Sequence, residues 1–217
     1  MANYEYIISS LPVLGRDGKS SQAIDPQETI SFILSQCGSK DRLLVEQLLR
    51  GFNDDALGED FYREVLGEKA AAKEPGMPGE KTPKVPHNRF IKEYFTFDLR
   101  VRNAKVRYLN KALGRSASED IFLEKEGDFP EKARLDEVLA TADILAREKG
   151  LDNLMWDKIQ QLVTFHYFDI DVILAFIARL HIIDRWLKLD EQTGREMFRR
   201  LVAEVKGTFK GVDYRPE

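Results

Sequence analysis

The 217-residue sequence has little of what a secreted, membrane-spanning or metal-dependent protein requires. It contains one cysteine, Cys37, which excludes a disulfide framework within the chain and is typical of a reducing compartment. The most apolar run, Val172 to Leu180, is far shorter than the roughly 20 residues that cross a bilayer. The amino terminus lacks a basic segment, so no secretory signal peptide is expected. A net charge of −4 argues against a general binder of polyanions.

A complete phosphate-binding motif is also missing. The sequence Gly15-Arg-Asp-Gly18-Lys-Ser20 has part of such a loop, but Val13 stands where the first glycine is needed. A solvent-exposed turn is therefore the expected structure for this segment.

Metal ligands are sparse. The three histidines are too scattered for a known metal motif, and on a helix Asp171 would point away from the His166 and Asp169 side chains. We expect no catalytic residue, no cofactor and no metal site, and we predict that the protein is not an enzyme.

What the sequence does contain is a series of helix signals. Asp25 and Asn88 can cap helices that end near Cys37 and Gly114. The β-prone residues 4–11 predict a short extended segment at the amino terminus. The expected fold is mainly α, a multi-helix bundle with further helices over about 39–52, 60–72, 118–125, 130–150, 152–187 and 193–205.

One proline-rich stretch divides the chain. Half of the eight prolines lie within 73–86. Because proline lacks an N–H donor and restricts the residue before it, this stretch is predicted to be a loop. The expected organisation is a helical part over 1–72, the loop over 73–86, and a helical core over 87–217 that can pack with the first part as one domain.

Two helical segments 71 residues apart have similar sequences. The segments that begin Tyr94-Phe-Thr-Phe-Asp98 and Phe165-His-Tyr-Phe-Asp169 share five identities over twenty aligned positions. Chance would give about one or two. The pattern predicts an internal helical repeat of two copies, with Asp98 and Asp169 as structural charges in equivalent packing.

The two aspartates have different neighbours along the chain. Arg102 follows Asp98 by four residues, so the two side chains are expected to pair on one helix. Asp169 has Ile173 at that position and is expected to bond His166 or a basic group elsewhere.

Residues 89–111 contain seven lysines and arginines and two acidic residues, so positive charge is concentrated in this segment. Arg100 and Arg107 project from the side opposite the apolar face, and with Lys111 they are the candidate partner-binding residues. Such a helix fits a protein-binding surface, and nucleic-acid binding is the alternative.

The Phe-Asp-hydrophobic pattern, at Phe97-Asp98-Leu99 and Phe168-Asp169-Ile170, resembles the C subunit of V-type ATPases, called d in eukaryotes. The segments Tyr4-Glu-Tyr-Ile-Ile-Ser-Ser-Leu-Pro12 and Phe97-Asp-Leu-Arg-Val-Arg-Asn103 are similar to an uncharacterised bacterial family encoded among V-type ATPase genes. In the C subunit, three helical bundles form a funnel between the central stalk and the membrane rotor ring. This chain is shorter, with two candidate copies instead of three.

The resemblance implies a non-catalytic adapter or accessory subunit of a V-type ATPase, cytoplasmic and peripheral to the inner face of the membrane. It would bind stalk or rotor subunits and reach the membrane only through the complex, with no direct contact to nucleic acid. The alternative is a helical module that binds nucleic acid or a protein partner unrelated to ATPases.

Overall fold

Helices account for all the regular structure in the residues that the computed structural model describes, which are 4–16, 24–67, 86–124, 127–188, 199–200 and 202. No strand occurs in these ranges, so the predicted mainly α fold is confirmed. The helices are α1 Glu5–Ser10, α2 Pro26–Gln36, α3 Ser39–Arg50, α4 Glu59–Leu66, α5 Arg89–Leu113, α6 Lys132–Ala140, α7 Ile144–Leu162 and α8 Ile170–Lys188.

Local capping fixes the ends of two helices as predicted. The Asp25 carboxylate accepts hydrogen bonds from the backbone N–H groups of Gln27 and Glu28, and so satisfies donors at the start of α2. The Asn88 side chain accepts from the Ile91 N–H at the start of α5. Gly114 ends α5 in the left-handed region, with φ of 67°, where a side chain would be strained.

The predicted extended segment at the amino terminus is wrong, because residues 5–10 form α1. Tyr4 and Ile7 are buried, and Ile8 and Leu11 pack against the same core. This spacing of three, four and seven residues places one side of a helix on the core, which outweighs the β propensity of the individual residues.

The helix predicted over 118–125 is also wrong. Residues 117–120 form turns and 121–124 have no regular structure. Two buried asparagines of α5, Asn103 and Asn110, hydrogen-bond to the backbone of this stretch and hold it on the α5 surface. The helix predicted over 60–72 ends earlier, because Gly67 closes α4 with φ of 72°.

The two helices predicted over 130–150 and 152–187 have different boundaries. Asp143 caps α7 by accepting from the Leu145 and Ala146 N–H groups, and α7 continues through Gly150. A Cβ atom at Gly150 would lie 2.7 Å from a methyl group of Val138, so the glycine lets α6 approach α7 closely. Asp152 therefore lies within α7 instead of capping a helix.

The helices share one hydrophobic cluster. α8 lies at its centre, with every residue from Ile173 to Ala178 buried, while α2 and α3 pack on α8 and α4 packs on α5. Phe61 of α4 and Phe95 of α5 meet edge to face, with ring centroids 4.9 Å apart. The helices before residue 68 and those after residue 85 therefore contribute to the same core.

The internal repeat is not confirmed. Asp98 lies in the middle of α5, whereas Asp169 precedes α8 in a non-helical stretch over 163–169. Aligned aromatic residues differ in exposure: Phe97 is 3% exposed and Phe168 is 48% exposed. The predicted equivalence of the two aspartates is wrong because the second segment breaks where the first remains helical.

Some predictions fall outside the described ranges. Of the loop predicted over 73–86, only Pro86 is described, and residues 17–20 of the phosphate-loop-like segment are not. Of the helix expected over 193–205, the described residues 199, 200 and 202 are helical. No helix in the described ranges is long and apolar enough to cross a membrane.

Candidate partner-binding groove

Three cations that the sequence indicates as partner-binding residues, Arg100, Arg107 and Lys111, line one groove. They are seven and four residues apart on α5, a spacing that places them on one side of the helix. The groove has a volume of about 680 Å³ and lies between α5, α6 and the segment that joins them. We call it the α5–α6 groove.

The α5–α6 groove combines an apolar floor with charged edges. Leu135 and Leu139 of α6 are buried at its base, next to Tyr108 of α5. The charged lining is mainly basic, with four cations and two carboxylates. These charged residues are Arg100, Arg107, Lys111, Lys132, Glu124 and Asp136.

Most of the cations already have partners. The Arg100 guanidinium donates to the Asp128 carbonyl oxygen over 2.8 Å and lies over the Phe129 ring. Arg107 pairs with the Glu124 carboxylate, and Lys132 pairs with Asp136.

Lys111 differs from these three. Its exposed ammonium group has no hydrogen-bond or ion-pair partner in the described part of the chain. Among the described residues, the groove therefore presents one cation without a partner beside three that have one.

The segment after α5 forms one wall of the groove, and two asparagines hold it. The Asn103 side chain donates to the Leu123 carbonyl and accepts from the Phe122 N–H, over 3.3 and 3.2 Å. The Asn110 amide donates to the Glu119 carbonyl over 2.8 Å. Sequence reasoning missed both residues. Asparagine is a poor helix former, so two of them seven residues apart within a long helix were the available signal.

Arg102 also contacts this wall. Its guanidinium lies 3.3 Å from the centroid of the Phe122 ring and donates to the Asp120 carbonyl. The expected direct pair with Asp98 does not form, since no ion pair in the described residues joins the two side chains. Arg102 acts on Asp98 only through its charge.

Asp98 lies outside the groove, where it binds the hydroxyl of a fully buried tyrosine. Tyr62 of α4 donates to the Asp98 carboxylate over 2.6 Å. Burial raises the pKa of Asp98 above its usual range, while the Tyr62 hydrogen bond and the charges of Arg102 and Lys105 oppose that shift. Burial, followed by the charge of Asp98, raises the pKa of Tyr62 in turn. The hydrogen bond between the two side chains links α4 to α5.

Asp169 has a different role, as the capping residue of α8. Its carboxylate accepts from the backbone N–H groups of Asp171 and Val172, and its other oxygen lies 2.5 Å from Nδ1 of His166. The expected contact with His166 is therefore confirmed.

The structure brings Asp171 into the same cluster. Its carboxylate lies 3.6 Å from His166 Nδ1 and accepts from the Asn88 amide. The expectation that Asp171 points away is wrong, because helical geometry does not hold over 163–169. His166, Asp169 and Asp171 are the described residues whose side chains could hold a metal ion, with ligand atoms within 4.8 Å of one another.

Comparison with known protein families gives a match over part of the chain. A family described as Protein of unknown function (DUF2764) matches residues 126–208. That span includes the α6 side of the groove and the His166 cluster, but it does not include Arg100, Arg107 or Lys111. No curated protein and no solved structure matches the chain.

Proposed function

We propose that the protein is a non-catalytic adapter or accessory subunit of a V-type ATPase. It acts in the cytoplasm at the inner face of the membrane and binds a stalk or rotor subunit through the α5–α6 groove. One observation carries the proposal: Arg100, Arg107 and Lys111 lie together along a groove with an apolar base. Protein interfaces combine an apolar centre with a polar, charged edge in this way. The link to ATPases rests on the resemblance of the two Phe-Asp segments to the V-type family described above.

The walls of the groove support a mechanical role. Asn103 and Asn110 hold one wall against α5, and Gly150 lets α6 pack closely on α7. Binding to walls that are already ordered costs less conformational entropy than binding that must first order a loop. The protein would transmit position or force from one subunit to another through rigid helices, with no bond chemistry of its own.

A second candidate is a helical module that binds nucleic acid or a protein unrelated to ATPases. The observation that favours it is the excess of cations in the groove, four against two carboxylates. Phosphate binding would use the same lysines and arginines and would weaken steeply as salt rises.

The test is affinity purification of the tagged protein from membranes of its own cells. Wild type should recover stalk or rotor subunits, identified by mass spectrometry. The double variant Arg107→Glu, Lys111→Glu should recover about tenfold less, because each reversal places a repulsive charge at the interface. Lys40→Glu, an exposed charge reversal on α3, is the matched control and should behave as wild type.

Two results would contradict the proposal. ATPase subunits absent from repeated purifications would exclude the adapter role. Recovery of nucleic acid, with a steep dependence on salt, would favour the second candidate.

A further inference from the structure

We infer that the α5–α6 groove binds an acidic amphipathic helix of about three turns. Its apolar side would lie on the groove floor, and its carboxylates would face Arg107 and Lys111. The inference rests on the proposed function, since it names the chemistry of the segment that the groove would receive. Three features of the groove support it: its length, its charge and the character of its floor.

The length of the basic row sets the size of the segment. Arg100 and Lys111 are eleven residues apart on α5, or about 16 Å at the helical rise of 1.5 Å per residue. A partner helix of about eleven residues has the same length. Carboxylates spaced three, four or seven residues apart on that helix would fall on one side and face the row.

The charges of the groove require an acidic segment. Lys111 has no partner in the described residues, and Arg107 already pairs with a carboxylate, that of Glu124. Because the Arg107 side chain is about half exposed and the Glu124 side chain more so, their pairing contributes little to stability. A carboxylate of the partner can therefore replace Glu124 at Arg107. Glu124 acts as a weak internal competitor for the partner.

The floor requires apolar side chains on the same segment. Tyr108 and Phe129, both half-buried, line it beside the exposed Ala140, and the Arg147 guanidinium lies 5.0 Å from the centroid of the Tyr108 ring. An acidic segment without apolar residues would leave the floor in contact with water. A helix with leucines on one side and glutamates beside them satisfies both parts of the groove.

The experiment uses two labelled synthetic peptides and the 217-residue protein. Both are 18-residue helices with leucines on one side; the first carries glutamates beside them and the second carries lysines at the same positions. Fluorescence anisotropy should show binding of the glutamate peptide, at least about tenfold tighter than binding of the lysine peptide.

Three variants assign the binding to the groove. Lys111→Glu should lower the affinity for the glutamate peptide by about tenfold, while the control Lys40→Glu should change this affinity by less than about twofold. Glu124→Gln should strengthen binding by about two- to fivefold, because it frees Arg107 from its internal competitor. Circular dichroism confirms that each variant is folded.

Several results would overturn the inference. The first is that the two peptides bind with equal affinity. The second is that Lys111→Glu and Lys40→Glu weaken binding of the glutamate peptide equally. The third is that Glu124→Gln weakens that binding. Tighter binding of a single-stranded oligonucleotide than of the glutamate peptide would assign the groove to nucleic acid. If the peptide does not bind but groove variants still recover fewer ATPase subunits in the purification, the inference of an acidic helix is wrong and the adapter role remains. If the peptide binds and ATPase subunits are never recovered, the adapter role fails alone.

Discussion

Asp98 and Asp169 each follow a phenylalanine and precede an aliphatic residue, yet they stabilise the molecule in different ways. Asp98 lies within α5 and accepts a hydrogen bond from the hydroxyl of Tyr62, a residue 36 positions earlier in the chain. Asp169 lies at the start of α8 and accepts from backbone N–H groups two and three residues later. One carboxylate joins two helices, and the other begins a helix.

The neighbours of each aspartate explain the difference. Residues 163–168 are Val-Thr-Phe-His-Tyr-Phe, six consecutive residues with modest helix propensity, and the aspartate after them is a strong capping residue. The six residues before Asp98 are Lys-Glu-Tyr-Phe-Thr-Phe, which begin with two good helix formers, and arginines and lysines that favour a helix follow Asp98. Similar pairs of residues therefore do not produce similar structures when the flanking propensities differ.

The largest expected effect tests the aligned phenylalanines. Phe97→Ala should lower the free energy of unfolding by about 3–5 kcal/mol, because it empties a buried position in the core. Phe168→Ala, at the aligned but half-exposed position, should cost less than about 1 kcal/mol. Urea denaturation measures both. Equal losses would mean that the two segments pack alike, and would restore the repeat.

The aspartates themselves should give the next largest effect. Asp98→Ala leaves the buried Tyr62 hydroxyl without an acceptor and should cost about 1–3 kcal/mol. Asp169→Ala removes a helix cap and should cost about 1 kcal/mol. Replacement by asparagine, which keeps an acceptor, should cost less at both positions. An Asp98→Ala variant with an unchanged melting temperature would contradict the role of the Tyr62–Asp98 hydrogen bond.

A smaller effect should appear in the pH dependence of stability. Burial raises the folded-state pKa of Asp98 above 3.8, so the folded protein holds this proton to higher pH than the unfolded chain does. The contribution of Asp98 to stability is therefore greatest below about pH 3.8 and is lost as pH rises through the raised pKa. The Asp98→Asn variant has no titratable group at position 98.

The expected result is a pH-dependent difference between the variant and wild type. The stability of Asp98→Asn relative to wild type should improve between about pH 4 and pH 7, by at most about 1.4 kcal/mol for each unit by which the pKa is raised. Urea denaturation of both proteins at several pH values measures this difference. A difference that stays constant over the range would show that the Asp98 pKa is not raised.

Much of the fold follows from short-range patterns. Asp25, Asn88 and Gly114 mark helix ends because capping depends on atoms within three or four residues. The breaks before α7 and α8 were missed, because an aspartate in a helical pattern does not by itself mark a helix start: Asp143 and Asp169 cap helices, whereas Asp152 lies within α7. The amino-terminal helix was missed because its stability comes from burial on the core.

The sequence predicted three residues that line the groove, all of them on α5, but not the groove itself. The spacing of Arg100, Arg107 and Lys111 along one helix is enough to place them together. Glu124 and Lys132 belong to the groove only because the segment after α5 folds back on that helix. That return depends on hydrogen bonds between residues about 10 to 20 positions apart, which no periodic pattern records.

The close approach of α6 and α7 at Gly150 has a consequence for how related sequences can vary. A methyl group at position 150 would occupy the space that the Val138 side chain fills. An alanine there is compatible with the same helix spacing only if position 138 becomes smaller, for example by Val138→Ala. The two positions should therefore covary in size among relatives, and the paired change should be better tolerated than Gly150→Ala alone.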